Sequence, residues 1–92
     1  AKHERKEAAV IHRALQFVRN HWQKYSVSQL IDEAIRMIEG SGMIKVEYLQ
    51  LVDAATLQRV ESIDDAAHIR CFVAATIGKV RLIDNEIVRL RG

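Results

Sequence analysis

The spacing of apolar residues changes once along this 92-residue chain, from threes and fours to twos, and the change falls at Gly42. Upstream, Ala8, Ile11, Leu15, Val18 and Trp22 recur at helical intervals, which predicts a helix from about Lys2 to Lys24. Val10, Ala14 and Phe17 widen that stripe, so the helix is expected to be covered on more than one side. Ser26 with Gln29 three residues on has the form of a capping box, with Ser28 the alternative cap. A second helix follows, with Leu30, Ala34 and Ile38 on one line and Ile31 and Ile35 beside it. Gly40-Ser41-Gly42 ends it, because glycine accepts the left-handed conformation that a helix terminus often needs.

Downstream of Gly42 the period is two. Lys45–Asp53 reads as a strand, with Val46, Tyr48 and Gln50 on one face and Glu47, Leu49 and Leu51 on the other. Asp53 is placed to cap a short helical turn at Ala54–Leu57, and Arg59–Ala67 reads as a polar connection. His68–Thr76 is a second strand, with Ile69, Cys71, Val73 and Ala75 facing one way and His68, Arg70, Phe72 and Ala74 the other. Gly78-Lys79 is the sharpest turn signal in the chain. Val80–Ile83 and Ile87–Leu90 then form one strand interrupted by Asp84-Asn85-Glu86, or two short ones. Helices first and strands after, joined by short turns, predict a single α+β domain over 1–92: two N-terminal helices packed on an antiparallel sheet of about three strands.

Composition bounds the functional classes. An apolar fraction of 49% and a charged fraction of 28% are those of an ordinary globular protein. No run is long enough to span a bilayer, and Lys2-His3-Glu4-Arg5-Lys6 leads into a helix rather than a secretory core segment. One cysteine, Cys71, cannot form an internal disulfide, which fits a reducing, cytoplasmic setting. The chain begins without Met, so it is expected to be a processed or excised piece.

Few residues carry chemistry. His3, His12, His21 and His68 do not pair with one another, or with Cys or acids, at a metal-ligand spacing, and they read as surface or half-buried polar groups. Cys71 falls on the apolar face of a strand, where a thiol is buried and inert rather than a thiolate nucleophile. Asp64-Asp65 are neighbours in a loop, whereas catalytic carboxylate pairs face each other across a substrate. The glycine-rich phosphate loops and the nucleophile-elbow motif are absent. Catalytic, cofactor-binding and metal residues are therefore each read as none. Residues 1–24 hold Lys2, Arg5, Lys6, Arg13, Arg19 and Lys24 against Glu4 and Glu7. This basic helix leaves one alternative function open, an autonomous module that binds an acidic partner or nucleic acid. The charges are mixed in sign, the helix's aromatics Phe17 and Trp22 belong to its apolar stripe, and the net charge is only +2, so a solvated helix face is the simpler reading and nucleic acid an improbable partner.

Longer stretches carry a resemblance. Tyr48, Val52, Asp53, Thr56 and Leu57 match a strand of the form D-Y-x-x-x-V-D-x-x-T-L. Ala74, Ala75, Gly78, Arg81, Leu82, Ile83, Asp84 and Asn85 match the A-A-x-x-G-x-x-R-L-I-D-N part of A-R-I-L-x-A-A-x-x-G-x-x-R-L-I-D-N, with Ala67 and Ile69 two residues before the places of its opening A and I, and the opening AKHERKEAAVIHRAL matches an E-R-x-x-A helix. With these motifs the chain resembles the C-terminal domain of the pantoate–β-alanine ligases (pantothenate synthetases) over essentially its whole length. It departs from that pattern in having no Pro, with Ala54 and Arg59 near the positions where many members place one, and in the bulkier Arg70-Cys71-Phe72.

The resemblance implies a lid domain of an ATP-dependent ligase, with ATP and Mg2+ held in the full-length enzyme and neither in this fragment. The family's H-x-G-H and S-S-R-N-like motifs, which belong to its N-terminal nucleotide-binding domain, do not occur here, so that domain is expected to be the missing partner and the isolated fragment inactive. Pantoate, β-alanine and ATP are then partners only of the full enzyme, itself a homodimer by resemblance. The fragment alone is expected to self-associate, through the sheet face of Phe72, Ala74 and Tyr48. Asp84-Asn85 reads as a structural corner between strands rather than a site.

Overall fold

A computed structural model describes the backbone of residues 2–89 and the side chains of residues 6–89. The element order is α1 (Lys2–His21), α2 (Val27–Glu39), β1 (Lys45–Asp53), a 3-10 turn (Ile63–Asp65), β2 (Ile69–Ile77) and β3 (Val80–Arg89). The three strands form one antiparallel sheet in the order β1-β2-β3. α1 lies against β3 and α2 against β1, so both helices cover the same face of the sheet. No described helix is long and apolar enough to cross a membrane. This is the α+β arrangement that the change of period predicts.

The helices form where their apolar spacing directs. α2 buries Val27, Leu30, Ala34 and Ile38, and its N-terminus is closed by the expected capping box. Ser26 Oγ accepts from Gln29 N at 3.1 Å while Gln29 Oε1 accepts from Ser26 N at 2.9 Å, satisfying two otherwise orphaned donors. α1 buries Ile11, Ala14, Leu15 and Val18 but ends at His21 rather than Lys24, where Lys24 N donates to His21 O in a closing turn. The stripe also begins differently: Ala8 is exposed, and Glu7 holds the buried position one turn before Ile11. At the end of α2, Gly40 stays right-handed and Gly42 takes the left-handed conformation, with φ +78°.

β1 runs over the expected residues, but a register shift between Val46 and Tyr48 makes Glu47 a bulge. Val46 then lies opposite Ala75, so it shares the helix-covered face with Leu49 and Leu51 and not the face of Tyr48 and Gln50. β2 starts and ends one residue later than the pattern predicts, with its faces as expected: Ile69, Cys71, Val73 and Ala75 are buried beneath the helices. The connection before β2 is less polar in its packing than in its sequence, because Val60 and Ala66 are buried. Val60 N donates to Leu51 O and Asp53 N to Gln58 O, so residues 58–60 seal that end of the β1 edge. Asp53 Oδ1 accepts from Ala55 N and Thr56 N, which makes the segment after β1 a capped turn rather than a helix.

The expected corner at Asp84-Asn85-Glu86 does not exist. β3 is one continuous strand, and Asp84, Asn85 and Glu86 pair with Val73, Phe72 and Cys71 in turn. The irregularity in β3 lies later, where a shift between Ile69 and Arg70 leaves Val88 as the extra residue. β3 tolerates acids because it is an edge strand, and one side of it carries no ladder bonds for them to disturb.

Candidate functional site

The chemistry-bearing residues singled out in the sequence are not brought together. Cys71 is fully buried, and desolvation pushes its thiol up to about 12. His12 is exposed on α1, and His68 is half-buried just before β2. His21 Nδ1 lies 2.9 Å from Phe17 O, and its ring stacks on Phe17 at 4.6 Å between centroids. His3, Lys2 and Arg5 lie outside the residues whose side chains are described. Asp65 Oδ2 accepts from Glu61 N and Ser62 N, each at 3.0 Å, which makes it a cap of the 3-10 turn and not half of a carboxylate pair with Asp64. Among the described residues no three His, Cys, Asp or Glu side chains gather as metal ligands.

The basic face of α1 is dispersed. Arg19 reaches across to Glu86 of β3 at 3.4 Å, while Lys6 and Arg13 point to solvent. A groove of about 530 Å³ between the helices is lined by Phe17, Tyr25, Gln29, Asp32, Glu33 and Arg36. Arg36 is already bonded to Glu33, from Nε at 2.9 Å, so the groove's charge is largely met from within.

The other surface is the sheet face that the helices leave open. Cross-strand pairing sets its rows: Tyr48, Ala74 and Ile83; Gln50, Phe72 and Asn85; Val52, Arg70 and Ile87; Lys45, Thr76 and Arg81. Ile83 is 62% exposed and Tyr48 37% exposed, while Phe72 is half-buried. Leu57, 64% exposed, joins Tyr48, Gln50, Val52 and Phe72 around a groove of about 260 Å³. Two contacts order this face: Arg70 Nη1 donates to Asn85 Oδ1 at 2.5 Å, and Arg81 Nε meets Glu47 Oε1 at 3.2 Å. Phe72, Ala74 and Tyr48 were legible as a face from their alternation. Arg70 was legible with them, two residues before Phe72 on the same strand, whereas Ile83 and Leu57 were not, since their positions depend on the unbroken run of β3 and on the turn after β1.

This arrangement, a helix pair laid over one side of a three-stranded antiparallel meander, defines an α+β domain whose second sheet face is free and holds no catalytic cluster among its described residues. The comparisons place that domain. The family model for pantoate-beta-alanine ligase matches residues 1–87, and the chain belongs to this family. It is 36% identical over 89 residues to a pantothenate synthetase of Prosthecochloris aestuarii, covering 95% of this chain and 31% of that protein. It is 35% identical over 91 residues to a bifunctional pantoate ligase/cytidylate kinase of a Synechococcus strain, covering 97% of this chain and 16% of that protein. Among solved structures, pantothenate synthetase from Thermus thermophilus superposes with a TM-score of 0.82 at 29% identity, over 97% of this chain and 32% of that one. The chain thus spans a third or less of the relatives it matches.

Proposed function

We propose that this domain works as the C-terminal lid of an ATP-dependent pantoate–β-alanine ligase. The observation that carries the reading is the family match over residues 1–87, joined to a span of about a third of each single-function relative. The reaction proposed for the whole enzyme activates the pantoate carboxylate as an acyl-adenylate, with release of pyrophosphate. The β-alanine amine then displaces AMP to give pantothenate. An acyl-adenylate is destroyed by water, so a domain that closes over it and excludes solvent contributes to yield without touching the reacting atoms.

ATP and Mg2+ do not fit the described residues of this chain. It has no glycine-rich turn before a helix to cradle phosphates, and its acids are dispersed or committed, Glu33 to Arg36, Glu47 to Arg81 and Asp65 to backbone. No step is therefore assigned to its side chains; its part is shape and exclusion of water. The setting is proposed to be cytoplasmic, where a free Cys71 persists.

Replacing the corresponding C-terminal third of the Prosthecochloris aestuarii relative with these 92 residues tests the reading. The chimera is expected to form AMP in a pantoate- and β-alanine-dependent manner, and the isolated chain is expected to form none. A folded chimera without activity, or an active isolated chain, would overturn it.

A further inference from the structure

We infer that the open sheet face is the surface by which this domain docks on the nucleotide-binding portion of a pantoate ligase, with Arg70 meeting a carboxylate on that portion. The inference rests on the lid reading above and adds which face is used and the chemistry of what it meets.

Three observations select the face. One side of the sheet is sealed by both helices, so the other is the layer of the described fold left without a partner. The outward positions of the helices are polar, charged or small, as at Ala8, Arg13, Gln16, Ser28 and Asp32, whereas the open face exposes Ile83, Leu57 and Tyr48 around Phe72. Apolar side chains grouped in this way on an ordered sheet mark a contact surface. Leu57 strengthens the point, because it is a non-glycine residue at φ +64° that leaves its side chain on the rim of the groove. Strained conformations persist where something other than local stability keeps them.

Charge selects the occupant. The open face carries Lys45, Arg70 and Arg81, and the acid beside it, Glu47, is engaged by Arg81. Arg70 is half-buried, and its described partner is the neutral amide of Asn85, which fixes the guanidinium without neutralising it. Two copies packed through this face would bring like charges together, which disfavours that pairing. A partner presenting a carboxylate within an apolar surround matches it, and the guanidinium's remaining donors suit a carboxylate. The relatives supply such a partner in principle, because two thirds of the Prosthecochloris and Thermus proteins lie outside the part this chain matches.

The test is thiol labelling at two positions, Ile83→Cys on the open face and Gln16→Cys on the outer side of α1. Each is measured in the isolated chain and in the chimera described above, at low micromolar concentration; the native Cys71 is buried and serves as an internal blank. Ile83→Cys is expected to react at least tenfold more slowly in the chimera, with Gln16→Cys unchanged within twofold, and Arg70→Glu in the chimera is expected to restore fast labelling. Equal rates for Ile83→Cys in both proteins, or protection of Gln16→Cys instead, would overturn the inference. So would concentration-dependent protection of Ile83→Cys in the isolated chain, which would assign the face to a second copy. Ligase activity separates the two claims: an active chimera with an unprotected face rejects the docking surface alone, and an inactive chimera with a protected face rejects the catalytic reading alone. Should the chimera not fold, amide shifts in the isotope-labelled chain on adding the relative's separately produced N-terminal two thirds give the same decision. Shifts confined to the open face support docking there, and shifts on α1, or none at saturating concentration, overturn it.

Discussion

The carboxylate of Asp84 accepts a hydrogen bond from the main-chain N–H of Asn85 at 2.8 Å. Two residues on, Glu86 Oε1 accepts from Ile87 N at 3.1 Å. The turn between β2 and β3 closes on the pair Ile77 and Val80, so alternation puts Val80, Leu82, Asp84 and Glu86 in the inward-bonded positions. The N–H groups of Asn85 and Ile87 therefore point away from β2, along the free edge of the sheet. Each is occupied by the acid just before it. An acid–amide pair inside a strand is thus edge protection: a charged side chain caps a donor that would otherwise template another strand.

Removing that protection has a defined outcome. Asp84→Ala with Glu86→Ala is expected to associate at a concentration at least tenfold lower than the wild type in sedimentation equilibrium. Asp84→Asn, which keeps an acceptor oxygen, should stay close to wild type. Identical association by all three proteins would show that the edge is blocked by something else.

The turn itself supplies a second expectation. Gly78 has φ +59°, and a Cβ placed there would meet nothing within 4 Å. The cost of a side chain is therefore conformational and not steric. Positive φ at the first of two central residues fits a type II′ turn, the geometry that prefers glycine there. Gly78→Val should lower stability by about 1–3 kcal/mol in urea denaturation, and Gly78→Asn by less. An unchanged midpoint for the valine variant would mean that the hairpin register differs from the one described.

Burial of Cys71 makes a pH prediction. Its thiol is pushed from 9.0 to about 12 by desolvation, so the folded state keeps its proton where the unfolded chain has lost it. Between those values the unfolded state binds fewer protons, and stability must fall as pH rises, by up to about 1.4 kcal/mol per pH unit from this group. Below pH 9 the contribution is constant. The measurement is the difference in urea stability between wild type and Cys71→Ala at pH 8 and pH 10.5, which cancels the titration of other groups. The advantage of the wild type should shrink at the higher pH. A difference independent of pH would place the thiol in contact with water.

How far the sequence reaches can be judged residue by residue. The ends of β1 and the capping box of Ser26 and Gln29 were legible because each rests on local chemistry, alternation in one case and a reciprocal side-chain bond in the other. The bulge at Glu47 was not, since Lys45-Val46-Glu47-Tyr48 alternates well enough to hide an extra residue and has no glycine to mark it. Three polar residues in succession made β3 look broken, because alternation assumes one wet face and one dry face and takes no account of a strand edge. Val60 looked like part of a polar loop, and only the folding back of residues 58–60 onto β1 buries it. The open face was half legible for the same reason. Tyr48, Arg70 and Phe72 follow from local alternation, whereas Ile83 and Leu57 join them through pairings between segments distant in sequence.

Leu57 offers the sharpest separation of folding from function. A leucine in the left-handed region costs about 1–2 kcal/mol relative to glycine in the same conformation, partly offset by the greater freedom of glycine when unfolded. Its side chain is largely exposed and so gains little from burial within the domain. Leu57 N donates to Asp53 O at 2.7 Å, a bond that any residue except proline can make, so glycine preserves the turn. Leu57→Gly is therefore expected to leave the fold intact and to raise stability by a few tenths to about 1 kcal/mol. If the leucine is kept for contact across the open face, the same substitution should speed labelling of Ile83→Cys in the chimera while slowing it nowhere else. Urea denaturation of the isolated chain and labelling of the chimera read the two effects independently. A destabilised Leu57→Gly would show that the side chain serves the fold, and an unchanged labelling rate would remove Leu57 from the docking surface.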